Sequence, residues 1–377
     1  MNGTAARRAG IAMVATAAVV GIAACAPPAK TSSPSGSGAK AASAASAKDL
    51  GGMDALVAAA KKEGTLNVIA LPPDWANYGE VIKAFQAKYG LKVDSAQPDA
   101  SSADEITAAK NLKGQSKAPD VFDLSTAVAS ANTSMFAPYK VATFGEIPDA
   151  LKDPNGTWVN DYGGFMSIGY DAGKVPAPTS VADLLKPAYK GKVALNGDPT
   201  KAGAAFNGVV MAAIGQGGSA DDISKGVDFF KQLKAAGNFL PVDPTPATIE
   251  SGQTPVVIDW DYTNAAHVND VATWKVALLP NVDPVGGFYY QAINADAPHP
   301  AAARLWEEFL FSVEGQNLWL AGGARPIRAD AMVKAGTIDK AKYDALPKVT
   351  GQPVIPTTEQ TTKMSEYLAK NWAAAVK

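Results

Sequence analysis

An alternation of helical and strand-like segments is the feature that most constrains the fold of this chain. From Met53 onward, apolar residues recur at helical spacing over 53–63 and 78–89, and a glycine follows each segment, as is typical of a helix end. Short apolar runs predict strands at 66–71, 91–94, 119–124, 192–195 and 255–259. Further helices are predicted at 300–312, 314–321 and 361–376. Strands separated by helices indicate an α/β fold with a mostly parallel sheet.

Composition narrows the class of protein. A length of 377 residues predicts two domains or one large one. The 34 Lys and Arg residues nearly balance 36 Asp and Glu residues, which argues against a nucleic-acid binder. One cysteine and two histidines leave little room for a disulfide framework, a Cys or His metal centre or a His-based catalytic triad. We therefore expect no cofactor, no resident metal and no nucleic-acid partner.

The N-terminus resembles an export signal. Arg7 and Arg8 precede an apolar run at 10–24, which the only cysteine, Cys25, follows. This run is short for a membrane span and suits a signal peptide. The segment 22–25 (Ile-Ala-Ala-Cys) resembles a bacterial lipobox, which implies removal of residues 1–24 and lipidation of Cys25. We therefore predict an extracytoplasmic protein, lipid-anchored to the cell membrane, and the alternative is a plain signal peptide followed by an incidental cysteine.

The segment after Cys25 differs in composition from the rest of the chain. Residues 26–48 are almost entirely Ala, Ser, Gly, Pro and Lys, with no large apolar side chain. Such a segment cannot bury enough surface to offset the entropy of ordering it. The sequence predicts a flexible tether over 25–49, with ordered structure from about Leu50.

Polar and aromatic side chains follow several of the predicted strands. In open parallel sheets, ligands bind beyond the carboxyl ends of the strands. The side chains found there suit holding a small polar ligand better than transforming it. Tyr289 and Tyr290 alternate along a strand, so at most one should face the ligand. The candidate ligand-binding residues are Trp75, Tyr78, Ser125, Thr126, Asp198, Lys201, Asp259, Trp260, Asp261, Tyr262 and Tyr289.

Several sequence segments, taken in order, resemble a known family. They are 75–78 (Trp-Ala-Asn-Tyr), 119–123 (Pro-Asp-Val-Phe-Asp), 187–193 (Pro-Ala-Tyr-Lys-Gly-Lys-Val), 196–203, 259–262 and 286–290. Together they are similar to family 1 extracellular solute-binding proteins, the ligand-capturing components of bacterial ABC importers, and most of all to the spermidine/putrescine-binding branch. The resemblance covers Gly64 to Arg328, and no single segment is diagnostic.

The resemblance implies a bilobal type II periplasmic-binding-protein fold, with two mostly parallel α/β lobes joined by hinge strands around a ligand cleft. The implied division is 50–162 for the first part of lobe I, 163–260 for the first part of lobe II, 261–312 for the return to lobe I and the hinge, and 313–377 for C-terminal helices packing on the lobes. Hinge closure would be recognised by the permease, while an ATPase subunit drives transport. We expect a monomer that breaks no bond.

The polyamine-binding branch implies an aromatic box with carboxylate partners for ammonium groups. Trp75, Tyr78 and Trp260 match the aromatics, and Asp198 and Asp261 are candidate carboxylates. The branch pattern has a second acid three residues beyond the Asp198 position, where this chain has Lys201. We predict Lys201 at a helix N-terminus, which favours anions.

Other ligands and classes therefore stay open. A zwitterionic aminophosphonate or amino-acid-like solute could place its amine on Asp259 or Asp261 and its anion near Lys201. Related ferric-iron binders use adjacent tyrosines at the position of residues 260–262, where this chain has only Tyr262. An enzyme on a related bilobal fold and a ligand sensor without a transport role are the competing classes.

Overall fold

A computed structural model describes residues 36–280 and 282–377 of the chain. The predicted signal peptide at 1–24, the lipidation site Cys25 and the first part of the tether lie outside the described residues. Within the described ranges, no helix is both long and apolar enough to cross a membrane.

Fourteen α-helices of the described chain surround its strands. Helices α2 and α3 have the predicted bounds and end at Gly64 and Gly90, both with the left-handed backbone that glycine favours. The helices are α1 Gly36–Ser43, α2 Met53–Glu63, α3 Tyr78–Tyr89, α4 Ser102–Asn111, α5 Thr126–Ala131, α6 Gly203–Gly215, α7 Ser224–Ala235, α8 Pro246–Glu250, α9 Asp261–Ala266, α10 Pro300–Leu310, α11 Val313–Ala321, α12 Ala329–Ala335, α13 Lys340–Ala345 and α14 Thr358–Val376.

The strands form one large sheet and one small sheet. They are β1 Thr65–Ile69, β2 Lys92–Ala96, β3 Val121–Leu124, β4 Phe136–Ala137, β5 Val159–Asp171, β6 Val193–Leu195, β7 Val256–Trp260, β8 Trp274–Ala277, β9 Gly286–Asn294 and β10 Arg325–Pro326. The central order of the large sheet is β3-β9-β5-β7-β6, while β4 pairs with β9 and both β8 and β10 pair with β5. Strands β1 and β2 form the small sheet.

The α/β fold class is confirmed, but the prediction of mostly parallel strands is wrong. Among the described strand pairs, only β1–β2 and β6–β7 are parallel. Strand β5 is antiparallel to β7, β8, β9 and β10. The reason is that the order of helices and strands along the chain does not decide which strands become neighbours: β5 and β9 pair directly at the centre of the sheet although α6 to α9 lie between them in the chain.

Strand β5 runs through both halves of the sheet. Its first part pairs with β9, and its second part pairs with β7 on one side and β8 on the other. A Cβ atom at Gly163 would lie 2.5 Å from the Gly287 carbonyl oxygen, and one at Gly169 would lie 2.2 Å from Asn264 Oδ1. No strand was predictable here because glycine is rare inside strands, yet the close approach of β9 and α9 requires glycine at these positions.

The point at which the chain returns to the first half of the sheet also differs from the prediction. The predicted return begins at Asp261, but α9 packs on β5, β7 and β8, and β8 still pairs with the end of β5. The return comes with β9, which pairs with β3. After it, α11 packs on α3, and α14 contacts both α5 and α7, so the last helix spans the two halves.

Ordered structure begins before the predicted boundary at Leu50. Helix α1 packs against α2 and α10, and the Ala41 side chain is fully buried. The Arg304 side chain, on α10, donates from Nη2 to the Ala42 carbonyl and from Nε to the Ala44 carbonyl, each at 2.8 Å. Small residues with no large apolar side chain can therefore dock here, because a buried guanidinium binds their backbone carbonyls. The flexible-tether prediction is wrong for residues 36–49.

We expect Arg304→Ala to lower the free energy of unfolding by about 2–3 kcal/mol, because the buried Ala44 carbonyl would lose its donor at a cost of about 1–3 kcal/mol and the Ala42 carbonyl would lose a hydrogen bond worth about 1 kcal/mol. Urea unfolding of the body from Gly36 onward measures this loss. Lys83→Ala, which removes an exposed cation on α3, is the control and should change stability little. Equal effects of the two substitutions would contradict the docking role of Arg304.

Candidate functional site

A cavity of about 540 Å³ lies where β1, β3, β6 and β7 end. This is the strand-end position that the sequence predicts for a ligand site. The structure brings five of the predicted residues to its wall, from both halves of the sheet. They are Trp75, Asp198, Lys201, Asp259 and Tyr289.

Ser125 and Thr126 lie instead on a second cavity, of about 350 Å³. Lys201 borders both cavities. Tyr290 borders only the second cavity and Tyr289 only the first. The two tyrosines therefore lie on opposite faces of β9, as their alternation along a strand requires.

Four predicted residues lie beneath the surface of both cavities: Tyr78, Trp260, Asp261 and Tyr262. Asp261 forms an ion pair with Arg325 at 2.6 Å and accepts from the Phe165 backbone N–H at 3.0 Å. The sequence placed these residues at the cavity because they follow or end a strand. Once β7 lies inside the sheet, packing from both faces covers its last residues.

Buried aromatic rings form the floor of the larger cavity. The half-buried Trp75 ring makes edge contacts with Tyr262 and Tyr289 at centroid distances of 5.9 and 5.8 Å. Its indole N–H donates to the Tyr162 hydroxyl at 2.7 Å. Trp260 donates to the Tyr289 hydroxyl from below at 3.3 Å. The deeper aromatics thus position Trp75 and Tyr289, which are the rings that reach the cavity.

Acidic side chains dominate the charge of this cavity. Its lining holds one lysine, Lys201, against eight carboxyl groups. Five of them are exposed at the mouth and three are buried. The exposed ones are Asp74, Asp99, Asp104, Asp198 and Asp243, and the buried ones are Glu105, Asp123 and Asp259.

Sequence reasoning missed most of these acids. Asp123 lies on β3, within the segment that carries the family resemblance, but the prediction chose the residues after it. Glu105 lies on α4, and its Oε2 accepts from the Asp123 backbone N–H at 3.0 Å. The strand-end position was the available signal for Asp123, whereas a helical acid such as Glu105 looks like an ordinary surface residue.

Asp259 is a buried carboxyl at the end of β7. Its Oδ2 accepts from the Asn196 side chain and its Oδ1 from the Trp260 backbone N–H, each at 2.7 Å. Burial raises the pKa of Asp259 to about 7, since these two hydrogen bonds offset only part of the lost hydration. A cation next to Asp259 would favour the ionised form.

Lys201 does not lie within a helix. Helix α6 begins at Gly203, and the Lys201 backbone N–H closes a turn onto the Asp198 carbonyl at 2.9 Å. Asp198 Oδ1 accepts from the Thr200 backbone N–H and hydroxyl instead of capping α6. The prediction of Lys201 at the helix N-terminus is therefore off by two residues. Pro199, which could have begun the helix, lies in this turn instead. Its side chain is exposed at the mouth.

Over the described residues, no group of three or more His, Cys, Asp or Glu side chains is placed to hold a metal ion.

Because the pKa of Asp259 rises from 3.8 to about 7 on folding, the folded state binds more protons than the unfolded state between those values. The stability of the empty protein should therefore fall as pH rises through this window. We expect Asp259→Asn to reduce that fall, so that its stability relative to wild type increases by about 2 kcal/mol from pH 5 to pH 8. Melting temperatures at both pH values measure this. Asp228→Asn, an exposed residue on α7, should leave the pH dependence unchanged.

Comparison with known proteins identifies a matching family. The sequence model of a family described as "Bacterial extracellular solute-binding protein" matches residues 117–353, which is more than half of the chain. A search of curated protein sequences finds no match.

Solved structures show the same fold at low sequence identity. One is the binding protein AgtB from A. tumefaciens R10 in complex with agropinic acid, with 14% identity, TM-score 0.66 and coverage of 83% of this chain and 98% of that chain. A second is a putative spermidine/putrescine ABC transporter from Listeria monocytogenes, with 13% identity, TM-score 0.63 and coverage of 83% and 98%.

A third is iron-bound HitA from Pseudomonas aeruginosa, with 21% identity, TM-score 0.59 and coverage of 82% and 99%. The ligands named for these structures differ, so the shared fold leaves the ligand of this chain unspecified. The strand-end cavity and the α/β fold agree with the family match: this chain belongs to the bacterial extracellular solute-binding proteins.

Proposed function

We propose that this protein captures a small cationic, amine-containing solute in the larger cavity and delivers it to an ABC importer. The observation that carries the proposal is the charge of that cavity, which has eight carboxyl groups and one lysine in its lining. An ammonium group entering such a cavity gains charge-assisted hydrogen bonds, which are about twice as strong as neutral ones.

The aromatic floor supports the same class of ligand. Trp75 and Tyr289 both line the cavity, and the face of an aromatic ring attracts a desolvated cation by about 2 kcal/mol. Methylene groups between ammonium groups would also lose water against these rings. A linear polyamine has both features, which favours the spermidine/putrescine-like branch over the other ligands.

Residues from both halves of the sheet would contact the solute. Asp123 lies on β3 in the first half of the large sheet and Trp75 follows β1 of the small sheet, while Asp198 and Asp259 follow or end β6 and β7 in the second half. A ligand that binds both groups at once stabilises the closed arrangement over the open one by its differential affinity. The permease would recognise that closed arrangement.

Lys201 decides between a polyamine and a zwitterion. It lies near Asp104 across the cavity mouth, where its charge helps to lower the pKa of that carboxyl, after the larger effect of hydrogen bonds from Ser101. A polyamine would need the Lys201 side chain to stay near Asp104 and away from the bound ammonium groups. A zwitterionic aminophosphonate or amino-acid-like solute would use it directly.

We expect putrescine or spermidine to raise the melting temperature of the body from Gly36 onward, and aminoethylphosphonate, ferric citrate and neutral amino acids to leave it unchanged. Calorimetry should then show at least about tenfold weaker amine binding for Asp259→Asn, since a charge-assisted hydrogen bond is worth about 1.5–3 kcal/mol. Asp228→Asn should bind like wild type. A panel in which none of the amines binds would disprove the proposed function.

The variant Lys201→Ala separates the two ligand classes within the same assay. Removal of a cation from the mouth should strengthen the binding of a polyamine severalfold, because like charges no longer repel. It should weaken a zwitterion whose anion contacts Lys201. A stabilising effect of aminoethylphosphonate on wild type that is lost in Lys201→Ala would replace the polyamine by the zwitterion.

The role we propose is binding and delivery without chemistry. Proteins of this family and fold are transport-associated, and the proposed site holds its solute by charge and aromatic contact alone. A sensor that reports the same ligand to another membrane partner is the alternative hypothesis. A permease and an ATPase encoded beside this protein would support transport.

We also propose that the protein is exported and held at the membrane by lipid on Cys25, after removal of residues 1–24. The charged start, the apolar run and the lipobox-like segment 22–25 support this. Two or more acyl chains hold a protein on a bilayer firmly. Cys25→Ala should therefore move the protein from the membrane fraction to the soluble extracytoplasmic fraction, and its retention in the membrane would contradict the lipid anchor. Ser33→Ala is the control and should stay in the membrane.

A further inference from the structure

A group of buried acids lies next to the aromatic floor of the larger cavity. Glu105, Asp123 and Asp161 are each less than one-tenth exposed. Glu105 and Asp123 border the larger cavity, and Asp161 lies behind them. Among the ion pairs of the described residues, none involves these three carboxyl groups. Their charge thus has no cationic side chain to balance it.

Neutral hydroxyl and amide groups surround Asp123 on its packed sides. Tyr78 of α3 and Tyr162 of β5 donate to Asp123 Oδ2 at 2.8 and 3.0 Å. The Tyr162 backbone N–H donates to Asp161 Oδ1 at 2.7 Å. Glu105 of α4 contacts the Asp123 backbone N–H. These contacts hold the carboxyl groups in place without supplying a positive charge.

The elements on the cavity side add acids and hydroxyls, and the lining of the larger cavity also holds Lys201 and His267. Tyr262 of α9 and Tyr289 of β9 both face the charge of Asp123, and Tyr289 also faces Asp259. Each of these tyrosines has its pKa raised, first by burial and then by the neighbouring charges, so they stay protonated. The side chains on which the charge of Asp123 acts are thus acids and neutral hydroxyls. Burial lowers the pKa of His267, and Lys201 is exposed at the mouth.

Three acceptor oxygens in this group lack a donor among the described residues. They are Asp123 Oδ1, Asp161 Oδ2 and Gln291 Oε1. The Gln291 amide lies within the group, because its Nε2 donates to the Tyr78 hydroxyl at 3.1 Å. An ionised carboxylate can only accept, whereas a protonated carboxyl can donate to such an oxygen. Burial raises the pKa of Asp123 and of Asp161, and the charge of Asp123 raises that of Asp161 further.

We propose that Asp123 and Asp161 hold a proton between them in the empty protein, and that the cationic group of the solute displaces this proton on binding. The proton leaves to solvent as the positive charge enters, so the net charge of the site stays the same. This inference rests on the proposed capture of a cation. It predicts that affinity for a cation increases with pH, because at high pH the pair has already lost its proton.

Calorimetry of putrescine binding tests this, in two buffers of different ionisation enthalpy at pH 7. We expect wild type to release a substantial part of one proton per putrescine bound. Asp161→Asn should keep putrescine binding, because residue 161 does not border the cavity, but should release less proton and lose most of the pH dependence of Kd. Asp123→Asn should lose both the proton release and at least tenfold in affinity. The exposed control Asp228→Asn should match wild type.

Asp259 is a competing source of the released proton, since burial raises its pKa to about 7. If Asp259→Asn abolishes the proton release and Asp161→Asn leaves it intact, the proton belongs to Asp259 and the inference is overturned. Carboxyl-carbon NMR titration of the empty protein tests the pair without any solute. Two carboxyl groups that both titrate near their ordinary value of 3.8 would overturn the inference. A protein that binds no amine but keeps one of the pair protonated near pH 7 would disprove only the proposed function.

Discussion

The backbone pairing of strand β5 is the interaction on which the rest of the structure depends. It pairs with β9 in the first half of the sheet and with β7 and β8 in the second. Because β5 continues over 13 residues, with one irregularity in its pairing between Asn160 and Gly163, the strand ends of both halves meet at one cavity. The glycines of β5 make this possible, since a side chain at Gly163 or Gly169 would collide with a neighbouring strand or helix.

The site follows from this arrangement in two layers. An inner layer of buried aromatics and acids, such as Tyr162 and Asp161, lies behind the cavity wall, and hydrogen bonds such as that from Tyr162 to Asp123 connect it to the wall. An outer layer, such as Trp75 and Asp198, reaches the cavity. Buried carboxyl groups such as Asp123 and Asp161 form no ion pair among the described residues, and burial raises their pKa values. This is why we propose that the site attracts cations and that proton loss accompanies capture.

Local signals in the sequence identified the elements well. The bounds of α2 and α3 and the positions of β1, β3, β6 and β7 could be predicted from apolar periodicity and from glycine or proline at the ends. The same signals failed for β5, where glycines mask a strand that neighbouring strands enforce, and for α1, which Arg304 holds by contacts 260 and 262 residues away in sequence. Propensity describes a residue and its neighbours, and both failures come from partners distant in the chain.

The sequence by itself determined the α/β class, the family resemblance and five of the residues that line the cavity, because local patterns of apolar and polar residues predict the order of the strands and where each strand ends. Only the tertiary structure decided which face of each strand end meets the cavity. It buried Trp260, Asp261 and Tyr262 beneath neighbouring rings and an arginine, and it brought Glu105 and Asp123 to the cavity wall. The physical reason is that burial and charge at a point depend on every element packed there, and the long antiparallel strands set which elements meet.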